Sequence, residues 1–271
     1  KGRIIMSKIQ LKQAYLDYVD NGTAFNALAD LCLSVEEGEF VSVIGSSGCG
    51  KSTILNVLSG IRPLTKGEYL IDNEPVDGPG KNRGIVFQHY SLFPWMTSRG
   101  NVSFGIRQIN DGIKKREVEE LAKEYLAKVG LKGFENKYPF QLSGGMQQRV
   151  AIARLLAMKP EILLMDEPFG AIDARNKQLL QDVLLELLIA ENEKKTIVFV
   201  THDVDEAILL SDRVLFMYNK KIEEEITVTF PRPRAREEIF RTSEYLALRK
   251  RIMALFFRDV MENIGGNEVV I

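Results

Sequence analysis

The segment FVSVIGSSGCGKSTILNVLSG, residues 40–60, runs an apolar, β-branched stretch into a glycine-rich loop and then into a helical pattern. Its centre, GSSGCGKST from Gly45 to Thr53, fits G-x-x-x-x-G-K-[ST] in the strand, loop and helix order that this motif requires. Gly45, Gly48 and Gly50 let the backbone around Ser46, Ser47 and Cys49 wrap closely enough for its N–H groups to point at phosphate oxygens, and the helix N-terminus adds a favourable dipole. Lys51 is placed to neutralise charge on β- and γ-phosphates, the Ser52 hydroxyl to ligate Mg²⁺, and Thr53 to help hold the nearer phosphates. A plain glycine-rich turn is the bland alternative, and the strand and helix on either side weigh against it. Cys49 reads as a small residue whose alkylation bound nucleotide would block.

Outward from this loop, short apolar runs recur at Phe40 to Ile44, Ile85 to Phe87, Ile162 to Met165 and Ile197 to Val200, each followed by a polar turn. Runs without polar alternation are what strands covered on both faces by crossover helices look like, so a doubly wound α/β core with a parallel sheet is expected. The run ILLMDEP ends in two acids at the carboxyl edge of such a sheet. Asp166 is expected to hold Mg²⁺ through water, and Glu167 to polarise the attacking water or take its proton. Gln88 follows the strand GIVF, where its amide reaches the metal or the water. The run TIVFV leads into Thr201, His202 and Asp203; His202 is assigned to the γ-phosphate, with a helix-start histidine capped by Asp203 as the bland alternative. His89 is read as structural.

The composition is compatible with this, and its bland class is a soluble enzyme. The chain has 271 residues, 45% hydrophobic and 27% charged, enough for a full-sized core and ordinary for a globular protein. With 36 basic against 37 acidic residues the formal net charge is -1, which offers no broad cationic surface for nucleic acid. Two cysteines, Cys32 and Cys49, are too few for a disulfide framework and favour a reducing compartment. Apolar runs are strand-sized, well short of a bilayer-crossing helix. The opening KGRIIM lacks the features of a secretory signal, and Met6 reads as the native start after tag residues.

Between about Lys114 and Ala157 the periodicity turns helical, with Val118, Leu121, Tyr125, Leu126 and Val129 at three- and four-residue steps and Gly130 and Gly133 as terminators. A further helix is expected from Ser143, in LSGGMQQRVAIARLLAM, with Ser143 as N-cap and Met146, Val150, Ala153 and Leu156 on one face. Its start is a second element suited to an anion. One triphosphate already cradled by Gly45 to Thr53 hardly needs it from the same chain, so a symmetric dimer, each copy capping the other's nucleotide, is expected. The loop Leu92 to Met96, with Phe93, Pro94 and Trp95, reads either as local core or as an exposed docking patch. FPRPRAREE, from residue 230, reads as a linker with Arg232, Arg234 and Arg236 as a solvated run, followed by an amphipathic stretch through Ile239, Phe240, Leu246, Leu248, Ile252, Leu255 and Phe256.

The ordered set GSSGCGKST, Gln88, LSGGMQQR, LLMDEP, FGAID and THD resembles the nucleotide-binding subunits of ABC transporters over roughly residues 8 to 225. The resemblance implies a P-loop NTPase core with a mainly parallel sheet, an N-terminal antiparallel β region and an inserted α-helical subdomain. It places the ATPase domain at residues 6–226, with the helical subdomain at about 92–158, and a C-terminal helical extension at 227–271. It implies ATP and Mg²⁺ as ligands, contact of Ser143, Gly144 and Gly145 with the γ-phosphate across a head-to-tail dimer, and a communicating role for Asp173. It also implies an aromatic on the adenine, for which Tyr15 fits best and Tyr18 is the alternative. Met146 stands where the commonest signature has glutamine, and FGAID replaces SALD. SGCGKST, SGGMQQRVAIARLLA, DEPFGAID and the FPRPR tail look like the nitrate, sulfonate and taurine importer subfamily, which includes importers of vitamin precursors. Expected partners are a second copy, an integral membrane permease and, indirectly, an external solute-binding protein, with the chain on the cytoplasmic face of the membrane. The rival expectation is a soluble ABC ATPase acting on DNA or ribosomes.

Overall fold

The structure, a computed structural model, describes residues 7–20, 22–88, 91–110, 112–190 and 195–265; the readings of Met6 and His89 fall outside them. The chain opens with β1 (Ser7–Asp20), β2 (Thr23–Glu36), β3 (Phe40–Gly45), α1 (Lys51–Leu58), β4 (Lys66–Ile71) and β5 (Glu74–Pro75). It continues through β6 (Arg83–Val86), α2 (Ser98–Ile109), α3 (Lys115–Lys128), α4 (Gly144–Ala157), β7 (Ile162–Asp166) and α5 (Ala174–Ala190). It closes with β8 (Thr196–Val200), α6 (Val204–Leu210), β9 (Arg213–Tyr218), β10 (Lys221–Thr227), α7 (Arg236–Ile239) and α8 (Ser243–Gly265). Two compact units result: the residues up to Gly78 with those from Val198 onward, and Pro79–Ile197.

In the first unit, β1 pairs antiparallel with β2 and with β4, Leu11 opposite Leu33 and Ile9 opposite Ile71. Ile9, Leu11, Leu31, Leu33 and Val35 are buried, the alternation of a sheet with one wet face. The antiparallel β region expected at the N-terminus is present. Strand β3 pairs in parallel with β9, Val43 opposite Leu215, and every residue of β3 is buried. Strand β10 returns antiparallel along β9.

The tail differs from its reading in two respects. Arg234 is not part of a solvated run: its side chain is 1% exposed and donates to the backbone carbonyls of Phe230, Ile208, Leu209 and Ser211. A guanidinium has enough donors to satisfy several carbonyls at once, which makes such burial affordable. In α8, Leu246 is 58% exposed and Tyr245 is buried in its stead, with Ile252 and Leu255. Phe256 sets its ring edge-on to Phe216, centroids 5.3 Å apart.

In the second unit, β6 and β7 pair in parallel, Ile85 opposite Leu164. Helices α2, α3 and α4 pack on one another. The end of α3 is as expected, with Val129 as C-cap and Gly130 at φ +71°. Helix α2 precedes the stretch whose periodicity is legible; Thr97 caps it by accepting from the Gly100 N–H at 3.1 Å. Fully buried Asn101 fastens the preceding loop to it, accepting from the Phe93 N–H at 2.8 Å and donating to the carbonyls of Phe93 and Met96, both at 3.2 Å. No helix among the described residues is long and apolar enough to cross a membrane.

Candidate nucleotide site

In the first unit the loop grows out of β3. Gly45, its last residue, has φ +152°, and a Cβ there would lie 2.2 Å from the Met217 carbonyl oxygen of β9. Only glycine lets the chain leave the sheet beside that strand. Gly45→Ala is therefore expected to cost about 2 kcal/mol or more of folding stability; an unchanged urea midpoint would show that the two backbones part easily. Helix α1 begins at Lys51 with no side-chain cap on its N-terminus, which leaves its first N–H groups directed at whatever the loop encloses. Lys51 is buried and curls back across the loop, its Nζ donating to the carbonyls of Gly45 at 2.8 Å and Ser46 at 2.7 Å. Ser52 is exposed beside it and Thr53 half-buried. Cys49 is buried, its Sγ 3.9 Å from Lys51 Nζ, so a reagent meets a covered thiol even before nucleotide is considered.

The same unit carries the histidine. The Thr201 N–H, just past β8, donates to the Val43 carbonyl at 3.2 Å, and the Thr201 hydroxyl donates to the Glu206 carboxylate at 2.5 Å. Asp203 caps α6, accepting from the N–H groups of Asp205 at 2.9 Å and Glu206 at 3.2 Å. Exposed His202 stands between these two fixed points. The cap does not compete with a phosphate role; it fixes the backbone on which the imidazole is carried. Partial burial and the Asp30 carboxylate push the Tyr15 phenol above its ordinary range, and Lys66 Nζ lies 5.3 Å from the ring centroid. Tyr18 pairs with Phe25, centroids 5.4 Å apart, with the Arg62 guanidinium 5.7 Å from its ring.

The second unit holds the acids. Asp166 ends β7 and is buried, while Glu167 follows in a left-handed conformation, φ +44°. A residue before proline favours extended backbone, and a non-glycine residue at positive φ is uncommon, so this carboxylate is held in a strained position. Gln88 lies two residues beyond the end of β6, and its Nε2 donates to Glu167 Oε2 at 3.2 Å. The two residues read separately from the sequence are thus in direct contact.

The serine-glycine turn is built as expected. Ser143 caps α4, its hydroxyl accepting from the Met146 N–H at 3.3 Å, and a Cβ on Gly145 would sit 2.8 Å from the Ala171 carbonyl oxygen. Two residues that the sequence reading did not single out tie this helix to Asp173. Arg149 Nη1 donates to the carbonyls of Val129 and Gly130, both at 3.2 Å, and to Asn176 Oδ1 at 3.1 Å. Asn176 in turn donates from its side chain to Asp173 Oδ2 at 2.7 Å and from its N–H to Oδ1 at 3.1 Å, bonds that hold the Asp173 carboxyl below the usual carboxylate range. The available signal was weak: Arg149 follows Gln147 and Gln148 directly and shares its helix with Arg154, so its charge does not stand out. The aromatic loop divides between its two readings: Phe93 packs against Phe104 and lies under the Arg154 guanidinium, whereas Trp95 is 69% exposed.

A strand-borne glycine-lysine loop, acids at the end of another strand, a serine-capped helix start and a histidine after a third strand define a phosphate-handling ATPase, and the chain belongs to the ABC transporter family, whose description matches residues 28–170. It is 47% identical over 261 residues to an uncharacterised ABC transporter ATP-binding protein of Methanocaldococcus jannaschii, covering 95% of each chain. It is 44% identical over 235 residues to the nitrate import ATP-binding protein NrtD of Synechococcus elongatus, covering 86% of this chain and 85% of that one. Among solved structures it resembles the dimeric ATP-binding cassette MJ0796 in a post-hydrolysis state bound to ADP and Pi, with a TM-score of 0.76, 35% identity, and coverage of 82% of this chain and all of the other. The chain has the fold of an ABC ATPase.

Proposed function

We propose that this ABC ATPase energises import of a small solute, a nitrate-, sulfonate- or taurine-like anion or a vitamin precursor, through a separate membrane permease whose cytoplasmic face it occupies. The observation that carries the reading is 44% identity over 86% of the chain to an import ATP-binding protein, in a sequence that carries the glycine-lysine loop, the strand-end acids, the serine-glycine turn and His202. Two copies meet head to tail around two ATP molecules; the dimeric state of a relative bound to ADP and Pi supports the pairing. The loop Gly45 to Thr53 of one copy, Ser46, Ser47, Gly48, Cys49 and Gly50 included, receives the triphosphate on backbone N–H groups, with Lys51 on its outer charge. Ser143, Gly144 and Gly145 of the other copy close over the γ-phosphate, and Tyr15, or alternatively Tyr18, stacks on the adenine.

Mg²⁺ fits the donors available. Among the described residues no group of three or more His, Cys, Asp or Glu could hold a metal ion on its own, and a serine hydroxyl, an amide and one carboxylate suit an ion carried mainly by phosphate oxygens. Ser52, Gln88 and, through water, Asp166 would hold it, and it would neutralise charge on the β- and γ-phosphate oxygens. Glu167, oriented by the Gln88 amide, takes the proton of the attacking water, and His202 donates a hydrogen bond to the γ-phosphate and so distinguishes ATP from ADP. Loss of that phosphate removes the contacts that hold the dimer shut. Trp95, exposed beyond Gln88, offers the permease an aromatic contact.

The test is co-expression with a permease and a solute-binding protein of the nitrate-import type. Copurification with the permease in detergent, and ATP hydrolysis in proteoliposomes that rises when binding protein and solute are added inside the sealed compartment opposite the ATPase, are the expected results. Hydrolysis stimulated by DNA or ribosomes, with no retention on the permease, would reverse the assignment in favour of the soluble rival.

A further inference from the structure

The seven-residue helix α6 starts directly after His202 and Asp203, and the tail of the chain grips it at both ends. At its first turn Asp205 Oδ1 accepts from the Tyr245 hydroxyl at 2.6 Å and from Arg249 Nε at 2.8 Å. At its last turn Arg234 Nη1 donates to the carbonyls of Ile208 and Leu209, both at 3.1 Å, and of Ser211 at 2.6 Å, while Arg232 Nη2 donates to that of Leu210 at 2.7 Å. These are carbonyls of the kind that a helix leaves without intrahelical partners, and a cation there also complements the helix dipole. Burial pushes the Arg234 guanidinium down to about 10, so it stays charged at neutral pH.

A helix this short does not hold itself in place, since isolated helices below about 12 residues are marginal in water. Its position comes from what surrounds it. The Tyr245–Arg249 pair acts on the end nearest His202. Arg249 and Asp205 are each nearly half exposed, and an exposed ion pair contributes little. Tyr245 is different: it is 5% exposed, its ring lies on Phe240 with centroids 4.7 Å apart, and its hydroxyl reaches Asp205 from the packed side.

We propose that Tyr245, acting through Asp205, is a positioning residue for His202: the C-terminal tail holds α6 so that the imidazole carried at its start stays in place for the γ-phosphate. This rests on the reading of His202 given above. The tail then belongs to the switch rather than to a separate appendage.

The test uses the full chain. Tyr245→Phe deletes one hydroxyl and leaves the ring on Phe240; Asp205→Ala removes the same bond from the half-exposed side and keeps the question open to measurement should the first variant fold poorly. Each is expected to lower kcat for ATP hydrolysis roughly threefold to tenfold, the span of one hydrogen bond, with KM and the affinity for a fluorescent ATP analogue near parental. The double variant should be no slower than Asp205→Ala alone, because that exchange already removes the Tyr245 bond together with the exposed Arg249 pair. Parental kcat in both single variants, or losses that multiply in the double one, would overturn the inference. A purely structural role would instead lower the melting temperature and weaken nucleotide binding in step with kcat, and that outcome also overturns it. His202→Ala separates the two levels: if it hydrolyses ATP at the parental rate, the histidine assignment itself fails, whereas a slow His202→Ala beside an unaffected Tyr245→Phe sinks only the role of the tail.

Discussion

Glu167→Gln is expected to abolish turnover while leaving ATP in place, and to convert a transient dimer into one that survives gel filtration. The exchange is nearly isosteric and keeps a partner for Gln88, which now donates to a carbonyl oxygen rather than a carboxylate 3.2 Å away. What disappears is the group proposed to take the proton of the attacking water, a loss that typically costs about a hundredfold to ten-thousandfold in rate. Binding should be spared because the proposal places the triphosphate elsewhere, on the glycine-lysine loop and the serine-glycine turn. Removing the carboxylate also removes like-charge repulsion from the phosphates, so retained ATP should be bound at least as tightly. Light scattering of the variant with ATP and Mg²⁺ should give twice the monomer mass, and the trapped nucleotide should elute as ATP. Hydrolysis at the parental rate would take the role of base away from Glu167.

Lys51→Ala should act one step earlier and weaken nucleotide binding itself. A charge-assisted contact to phosphate is worth about 1.5 to 3 kcal/mol, or roughly tenfold to a hundredfold in Kd. Its ammonium lies 2.8 Å from the Gly45 carbonyl and 2.7 Å from that of Ser46, so the charge is already inside the loop and needs little rearrangement to meet an anion. Titration with a fluorescent ATP analogue checks the affinity, and circular dichroism melting checks that the loop's removal of two hydrogen bonds has not unfolded the chain. Parental affinity in a folded variant would mean that the triphosphate is bound somewhere other than this cradle.

How much of this could be read from the letters follows from the range of the forces involved. The Gly45 to Thr53 loop is a local device in which spacing and glycine content specify the backbone course, so its strand-loop-helix path is legible, as are the Ser143 cap and the Gly130 terminator, whereas the turn of Lys51 onto the Gly45 and Ser46 carbonyls is not. Asp166 and Glu167 were legible as strand-end acids, but not the left-handed backbone of Glu167, which defies the preference of a residue before proline. Helix α2 was hidden because its sequence, SRGNVSFGIRQI, carries two glycines and a buried asparagine instead of a clean apolar stripe. Arg234 was misread because three of its four carbonyl partners lie more than twenty residues away, on and just after α6, and nothing in the local run announces them. Tyr245 displaced Leu246 from the packed side of α8 by a shift of one position, which a purely apolar count assigns to the leucine.

The bridge made by Arg149 has a mechanical corollary. Because one guanidinium fastens the helix behind Ser143 to the Asn176 that pins Asp173, the serine-glycine turn and the aspartate cannot advance or retreat separately. In the head-to-tail dimer proposed above, each copy would present its twin with a single stiff fingertip, and a change at one nucleotide would reach the other as one displacement.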